Sequence, residues 1–363
     1  MKKLISVFLA MLVCLGCLVP ASASYDIEHA AANKAWDGEQ YTVADGVVYC
    51  LISGKHPYYS VASFFADPTA LNTVKKIVIP SEINGIPVKA VNTAGVQETV
   101  EGAFVIATGY PSFAQRKKAV LEQVVLPDSV AFIGHSAFRG MTNLKSVRFP
   151  EKLRKIWNAA FYESGLEEAV LPETLTFLGA DAFGGCKSLR SVSVPGGVKR
   201  LRGYTFRFCT ALETVTLGKG ILSIGARDFE GTGLKTVKLP KSLIRFGSYA
   251  FGASKLEKLY IPCSVTKLDS AFSNCRSLKK VVFQNRTDSL SLTHKEFTKC
   301  VKLETVKLPQ SATSVEIGGR AFENCRALKK ITGLQAVTSV TGSAFKGSGL
   351  DIETIPELAA KVI

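Results

Sequence analysis

Apolar residues recur along most of the chain in short alternating runs. Leu144-x-x-Val147-x-Phe149-Pro150, Leu189-x-x-Val192-x-Val194-Pro195, Leu234-x-x-Val237-x-Leu239-Pro240 and Leu303-x-x-Val306-x-Leu308-Pro309 share one spacing. Alternation with period two describes a short strand buried on one face, and proline ends it because it has no amide to give to a ladder. A second apolar pair follows in most copies, as in Val130-x-x-Ile133-Gly134 and Leu175-x-x-Leu178-Gly179, and then comes an Ala-Phe corner. The corner residues are Phe138, Phe161, Phe183, Phe206, Phe229, Phe251, Phe272, Phe297, Phe322 and Phe345, which cover 207 residues in nine steps, a mean period of 23. Such self-similarity predicts a repeat solenoid in which each coil of about 23 residues supplies one parallel β-strand. One coil cannot bury both of its walls, so neighbours must stack about 4.8 Å apart to make a core. About eleven coils are expected, in one curved right-handed domain spanning roughly 50 Å.

The flanks break the pattern. Lys2 and Lys3 precede an apolar stretch from Leu4 to Val19, followed by Ala21-Ser22-Ala23, so residues 1–23 read as a secretory signal peptide released after Ala23. The apolar stretch is shorter than a comfortable membrane span, and no later segment reads as one. Cys14-Leu15-Gly16-Cys17 puts cysteine where a lipoprotein signal needs leucine, which makes lipidation the weaker reading. Residues 24–72 do not repeat. Within them, Tyr41–Ala44 and Val47–Cys50 flank Asp45-Gly46, the signature of a hairpin with a two-residue turn, and this N-terminal β-hairpin is expected to cap the apolar end of the stack. The solenoid is assigned to residues 73–357 and a short C-terminal cap or tail to 358–363. From Phe104 to Phe138 the step is 34 residues, and the excess falls at about 106–118. This insertion carries Tyr110, Phe113, Arg116, Lys117 and Lys118, and reads either as a decoration of a binding face or as a solvated spacer.

Composition narrows the classes. Of 363 residues 47% are hydrophobic and 21% charged, which excludes a disordered tail. Lys and Arg number 45 against 30 Asp and Glu, a net charge of +15 that falls to +13 without Lys2 and Lys3. A basic exported chain points toward anionic polymers and acidic host surfaces and away from nucleic acid.

The charges are also patterned. The position after the first Leu of each strand motif reads Glu122, Lys145, Glu167, Arg190, Glu213, Lys235, Glu257, Lys279, Glu304, Lys329, Asp351, alternating in sign throughout. Stacked neighbours would then be opposite charges, and a slip of one coil would oppose like charges, so this row reads as a register-setting ladder. The two positions flanking the central apolar residue differ. They hold Arg148, Lys238, Lys258, Lys280, Lys307 and Lys330, with Tyr260 among them and Glu168 as the acid. These are the candidate ligand-binding residues, on the exposed sheet face and mostly in the C-terminal half.

Catalytic and metal signatures are missing from the sequence. Five cysteines, Cys186, Cys209, Cys275, Cys300 and Cys325, sit three residues after their corner Phe. A packed free thiol fits that position, with Cys186–Cys209 or Cys275–Cys300 disulfides left as an alternative. Seven cysteines follow the signal, with no CxxC spacing, which argues against zinc. His29, His56, His135 and His294 are scattered without any metal or triad spacing, and no phosphate-binding glycine loop is present. Glycines such as Gly134, Gly179, Gly225 and Gly318 recur at coil corners, where a left-handed backbone is expected. No cofactor is expected.

The succession Leu-x-x-Val-x-Leu-Pro, Val-x-x-Ile-Gly, Ala-Phe-x-x-Cys resembles the BspA-like (Treponema pallidum-type) leucine-rich repeat proteins of bacterial surfaces. The likeness covers about residues 71–357, including the opening Ile77-Val78-Ile79-Pro80 and Asn84-Gly85-Ile86-Pro87-Val88; Gly218 and Gln284 depart from it at the Pro position. The resemblance implies a secreted or surface-attached, non-enzymatic interaction protein. The expected partner is a host extracellular or mucosal protein, a glycan or an anionic cell-wall polymer, bound by a monomer. The alternative is a structural stalk or self-associating coat component.

Overall fold

The computed structural model describes residues 40–44, 47–52, 56–63, 72–91 and 117–363. The expected signal peptide and Tyr110, Phe113 and Arg116 of the insertion lie outside them. The fold is a parallel β-solenoid of about 9 turns, fewer than the eleven expected. The difference has a local cause. Of the eleven recurrences of the strand motif from Leu121 to Leu350, nine form strands. At Leu234–Leu239 the buried and exposed positions still alternate without a strand, and after Leu350 the chain turns into a 3-10 turn, Ile352–Thr354, and a short helix, Pro356–Ala359.

The chain divides into two compact units, 1–166 and 167–363. In the first, strands Lys76–Val78, Gln123–Val125 and Ser146–Arg148 pair in parallel with Ile77, Val124 and Val147 in register. On the return wall, Gln40–Ala44 and Val47–Ile52 form the expected hairpin. Val47–Ile52 pairs antiparallel with Tyr58–Ser63, which runs parallel to Ile86–Val91, and Phe132–Ile133 and Lys155–Ile156 continue that sheet.

In the second unit one parallel sheet holds Glu168–Val170, Ser191–Val194 and Thr214–Leu217. Another holds Lys258–Ile261, Lys280–Phe283, Thr305–Lys307 and Lys330–Thr332. At the end of the chain Leu358 is buried, Val362 bridges Val340, and the Ile363 amide donates to the Val340 carbonyl at 2.9 Å.

The corner phenylalanines are the core. From Phe183 to Phe345 each ring stacks on the next with centroids 5.0 to 5.7 Å apart and planes within 13°, as do Phe138 and Phe161 at 4.8 Å. The backbone is joined in the same direction: the amide of Phe229 donates to the Ala250 carbonyl at 2.7 Å and that of Phe251 to Ala271 at 2.8 Å. The cysteines add a rung. Cys209, Cys275, Cys300 and Cys325 are buried free thiols, and each Sγ donates to the carbonyl of the preceding coil's Phe at 3.1 to 3.3 Å. Burial pushes the Cys209 and Cys300 thiols well up and that of Cys325 to about 12, so they stay protonated donors.

The left-handed corners differ from expectation. Positive φ falls two residues before the corner Phe, at Ser136, Asp181, Arg227 and Arg320, and not at Gly134, Gly179, Gly225 or Gly318. Gly225 is needed for closeness instead: a Cβ there would meet Gly203 N at 2.6 Å and Leu201 O at 2.7 Å. The departure at Gly218 has the same cause, since a Cβ would run into the backbone of Gly196.

The alternating charge row is in register. The Lys145 amide donates to the Glu122 carbonyl at 2.8 Å, Glu213 to Arg190 at 2.9 Å and Lys329 to Glu304 at 3.0 Å. Side-chain pairs form at Glu122–Lys145, 2.8 Å, and Glu257–Lys279, 3.6 Å. Lys75 extends the row by one step, 3.8 Å from Glu122. Glu122→Lys would place three lysines in a line; its melting temperature should fall, and fall further in low salt than in high salt. Equal melting temperatures for variant and parent in low salt would refute the ladder.

Candidate binding face

Each strand of the Lys258–Thr332 sheet buries alternate residues and presents the others to solvent. Leu259, Val281, Val306 and Ile331 face the core. The strand register then fixes two outward rows, Lys258–Lys280–Thr305–Lys330 and Tyr260–Val282–Lys307–Thr332. Across four successive strands there is one exposed lysine per strand, at a pitch of about 4.8 Å. Tyr260 sits at the edge, 53% exposed. Among the described residues none of these four lysines belongs to an ion pair, whereas Lys279, one position away from Lys280, pairs with Glu257. Lys258 and Lys280 are direct cross-strand neighbours. Like charges so placed oppose folding, in contrast to the adjacent row where signs alternate.

The other candidates stand apart. Lys238 is exposed but lies on the coil without a strand. That coil is also where the face changes chemistry. The sheet before it presents Glu168, Ser191 and Thr214 in one row and Val170, Ser193 and Thr216 in the other, with no cation. Arg148 is in the first unit and is engaged: its guanidinium meets Asp128 at 3.1 Å and donates to the Leu126 carbonyl at 3.2 Å. That partner holds the Asp128 carboxyl below its usual range. Of the insertion, Lys117 pairs with Glu163 at 2.6 Å and its carbonyl accepts from the Thr142 hydroxyl, while Lys118 is exposed.

Among the described histidines, His294 stands in a turn braced by the buried Glu296. His135 packs against Trp157 with centroids 5.3 Å apart, and burial lowers its pKa. His294 Nδ1 lies 2.9 Å from Thr293 Oγ1 and 4.0 Å from Glu296 Oε1. The same Glu296 oxygen accepts the amides of Thr293 and His294 at 3.0 and 2.8 Å, so this acid, its pKa raised by burial, closes the corner before Phe297. Among the described residues no group of His, Cys, Asp and Glu could hold a metal ion, and no helix is long and apolar enough to cross a membrane.

A stack of parallel strands at this period, with a buried Phe corner and a polar outer face, is a leucine-rich repeat solenoid. The BspA type leucine rich repeat region matches in six copies over residues 109–226, 200–316 and 290–362. The chain belongs to that family. Among solved structures it is similar to a leucine rich cell surface protein from Faecalibacterium prausnitzii, with 20% identity over 82% of this chain and 97% of that one, TM-score 0.47. It is also similar to a leucine-rich repeat protein from Bacteroides ovatus, with 21% identity over 84% and 92%, TM-score 0.43. A third likeness is to the pneumococcal vaccine antigen PcpA, with 19% identity over 89% and 96%, TM-score 0.41. Comparison with curated proteins gave no match.

Proposed function

We propose that the chain is exported to the cell surface or beyond and acts there as a non-enzymatic, adhesin-like binding protein. Its ligand is an acidic partner, a host matrix or mucin protein or an anionic polymer, held on the Lys258–Thr332 sheet face. One observation carries the reading: four successive strands each present an unpaired lysine, two of them as direct neighbours, beside a row whose charges alternate. Folding gains nothing from that arrangement. A polyanion neutralises it and releases counterions. Export is supported by the pattern of residues 1–23, and membership of the BspA type family fits a recognition role.

The test is binding of the full chain to mucin, chondroitin sulfate and teichoic acid at two salt concentrations, beside a Lys258→Ala, Lys280→Ala, Lys307→Ala variant. The parent should bind at least one of them in a salt-sensitive way. The variant should lose that binding with an unchanged or slightly raised melting temperature, because like-charge repulsion is relieved. Binding that survives in the variant would sink the assignment of the site to this face.

A further inference from the structure

A second exposed cluster lies at the Phe corners of the second unit. Each corner from Phe183 to Phe322 puts residues two before and two after its Phe at positive φ, and Phe345 has only the later one, Gly347. Side chains other than Gly, Asn and Asp are disfavoured there, and a bulky one is an outlier. The later position is Gly or Asn at Gly140, Gly185, Gly231, Asn274, Asn324 and Gly347, and Glu163, Phe208, Ala253 or Lys299 in the other coils. Other residue types share this backbone at Ser136, Ala159, Glu163, Arg227, Ala253, Ser270, Lys295, Lys299 and Arg320, and three are aromatic: Tyr204 at φ 59, Phe208 at 58 and Tyr249 at 58. All three are partly open to solvent, 36%, 44% and 37% exposed.

The aromatics are organised by two arginines. The Arg207 guanidinium carbon lies 5.3 Å from the Tyr204 ring centre and 4.3 Å from that of Phe208, and Arg227 lies 5.0 Å from Tyr249. Glu230, largely buried, fixes both: Arg207 Nε donates to Oε2 at 2.7 Å and Arg227 Nη1 to Oε1 at 2.9 Å. Phe208 is seated on the next coil, where a Cβ on Gly231 would stand 2.6 Å from its ring. Two cations meet one acid, so the cluster carries a residual positive charge. Arg207 meets Glu230 through Nε, which leaves its Nη atoms outside that bond.

We infer that this corner is a second binding surface, separate from the lysine face, for a protein segment that presents a carboxylate next to an apolar or aromatic side chain. The carboxylate would meet the guanidinium edges in the forked geometry arginine favours, and the apolar group would pack on Phe208 and the tyrosines. Tyr and Arg held rigid beforehand lose little freedom on binding, which is why they dominate interface energetics.

The test uses short displayed peptides selected on the full chain and then synthesised for affinity measurement. Two variants serve as comparisons: Tyr204→Asn, Phe208→Asn, Tyr249→Asn together, and Arg207→Gln with Arg227→Gln. Asn suits the left-handed backbone, which offsets part of the packing lost with the rings, so the first variant should still unfold cooperatively, as a melting curve will show. Selected peptides should hold Asp or Glu beside an apolar residue, bind both variants roughly tenfold or more weakly, and bind the Lys258, Lys280, Lys307 variant undiminished. Equal binding by the Asn variant, selection of acid-free peptides, or no selection at all would overturn the proposal. So would loss of chondroitin sulfate binding in the Asn variant with peptide binding intact, which would assign the corner to a glycan.

Discussion

Replacing Phe206 by Ala should lower the stability of the folded chain by about 3 to 5 kcal/mol, seen as an earlier midpoint in urea or thermal unfolding. The ring is fully buried between Phe183 and Phe229, with centroids 5.5 and 5.3 Å away and planes within 12°. Its removal opens a hole that neither neighbour can fill, because Phe229 is fixed by its stack on Phe251 and both neighbours are fixed by the inter-coil bonds of their amides. Those of Phe183 and Phe229 reach the carbonyls of Thr205 and Ala250 at 2.9 and 2.7 Å. Packed interiors relax only partly around such a deletion, so a cavity cost adds to the lost transfer energy. Lys258→Ala removes an exposed side chain with no ion pair and should change stability by less than about 0.5 kcal/mol. Comparable losses for the two variants would mean that the core and surface rows are interchanged.

Much of this organisation is legible in the sequence because a solenoid repeats its physics. The strand motif, the return pair and the corner Phe each recur at one spacing, so the stacking of residues more than twenty positions apart follows from periodicity alone. The alternating charge row is readable for the same reason, and so is the basic segment from Lys258 to Lys330. Three features are not readable. Leu234–Leu239 carries the same motif as its neighbours yet has no strand, since the motif reports which residues face the core and not whether the backbone reaches its partners. Arg148 looks like the other cations until the fold brings Asp128, twenty residues earlier, within 3.1 Å. Tyr204, Phe208 and Tyr249 lie off the strand motif, at positions whose left-handed backbone is set by the turn of the coil; the residues themselves argue against that conformation.

The second large effect is on pH dependence and concerns Asp228, which stands where most coils have the Ala before the corner Phe. It is fully buried, and its oxygens accept the amides of Gly203 and Thr205 at 3.0 Å and that of Gly225. Three amide donors favour the carboxylate, but loss of water outweighs them and the pKa rises from 3.8 to about 6. The native chain therefore takes up this proton at higher pH than the unfolded chain. Stability from this group is fully present below the unfolded value and is lost as pH rises through about 6. A shift of this size corresponds to about 3 kcal/mol between pH 4 and pH 7. Carboxylates held low by a partner, such as Glu122 by Lys145 and Asp288 by Arg286, act in the opposite sense, their contribution fading on acidification. They are common to parent and variant and cancel in a difference. The expected result is that parent minus Asp228→Asn unfolding free energy becomes more favourable to the parent as pH falls from 7 to 4, most steeply at about 5, midway between the unfolded and native values. A flat difference across that range would show that Asp228 keeps an ordinary pKa and that its three amide bonds compensate its burial.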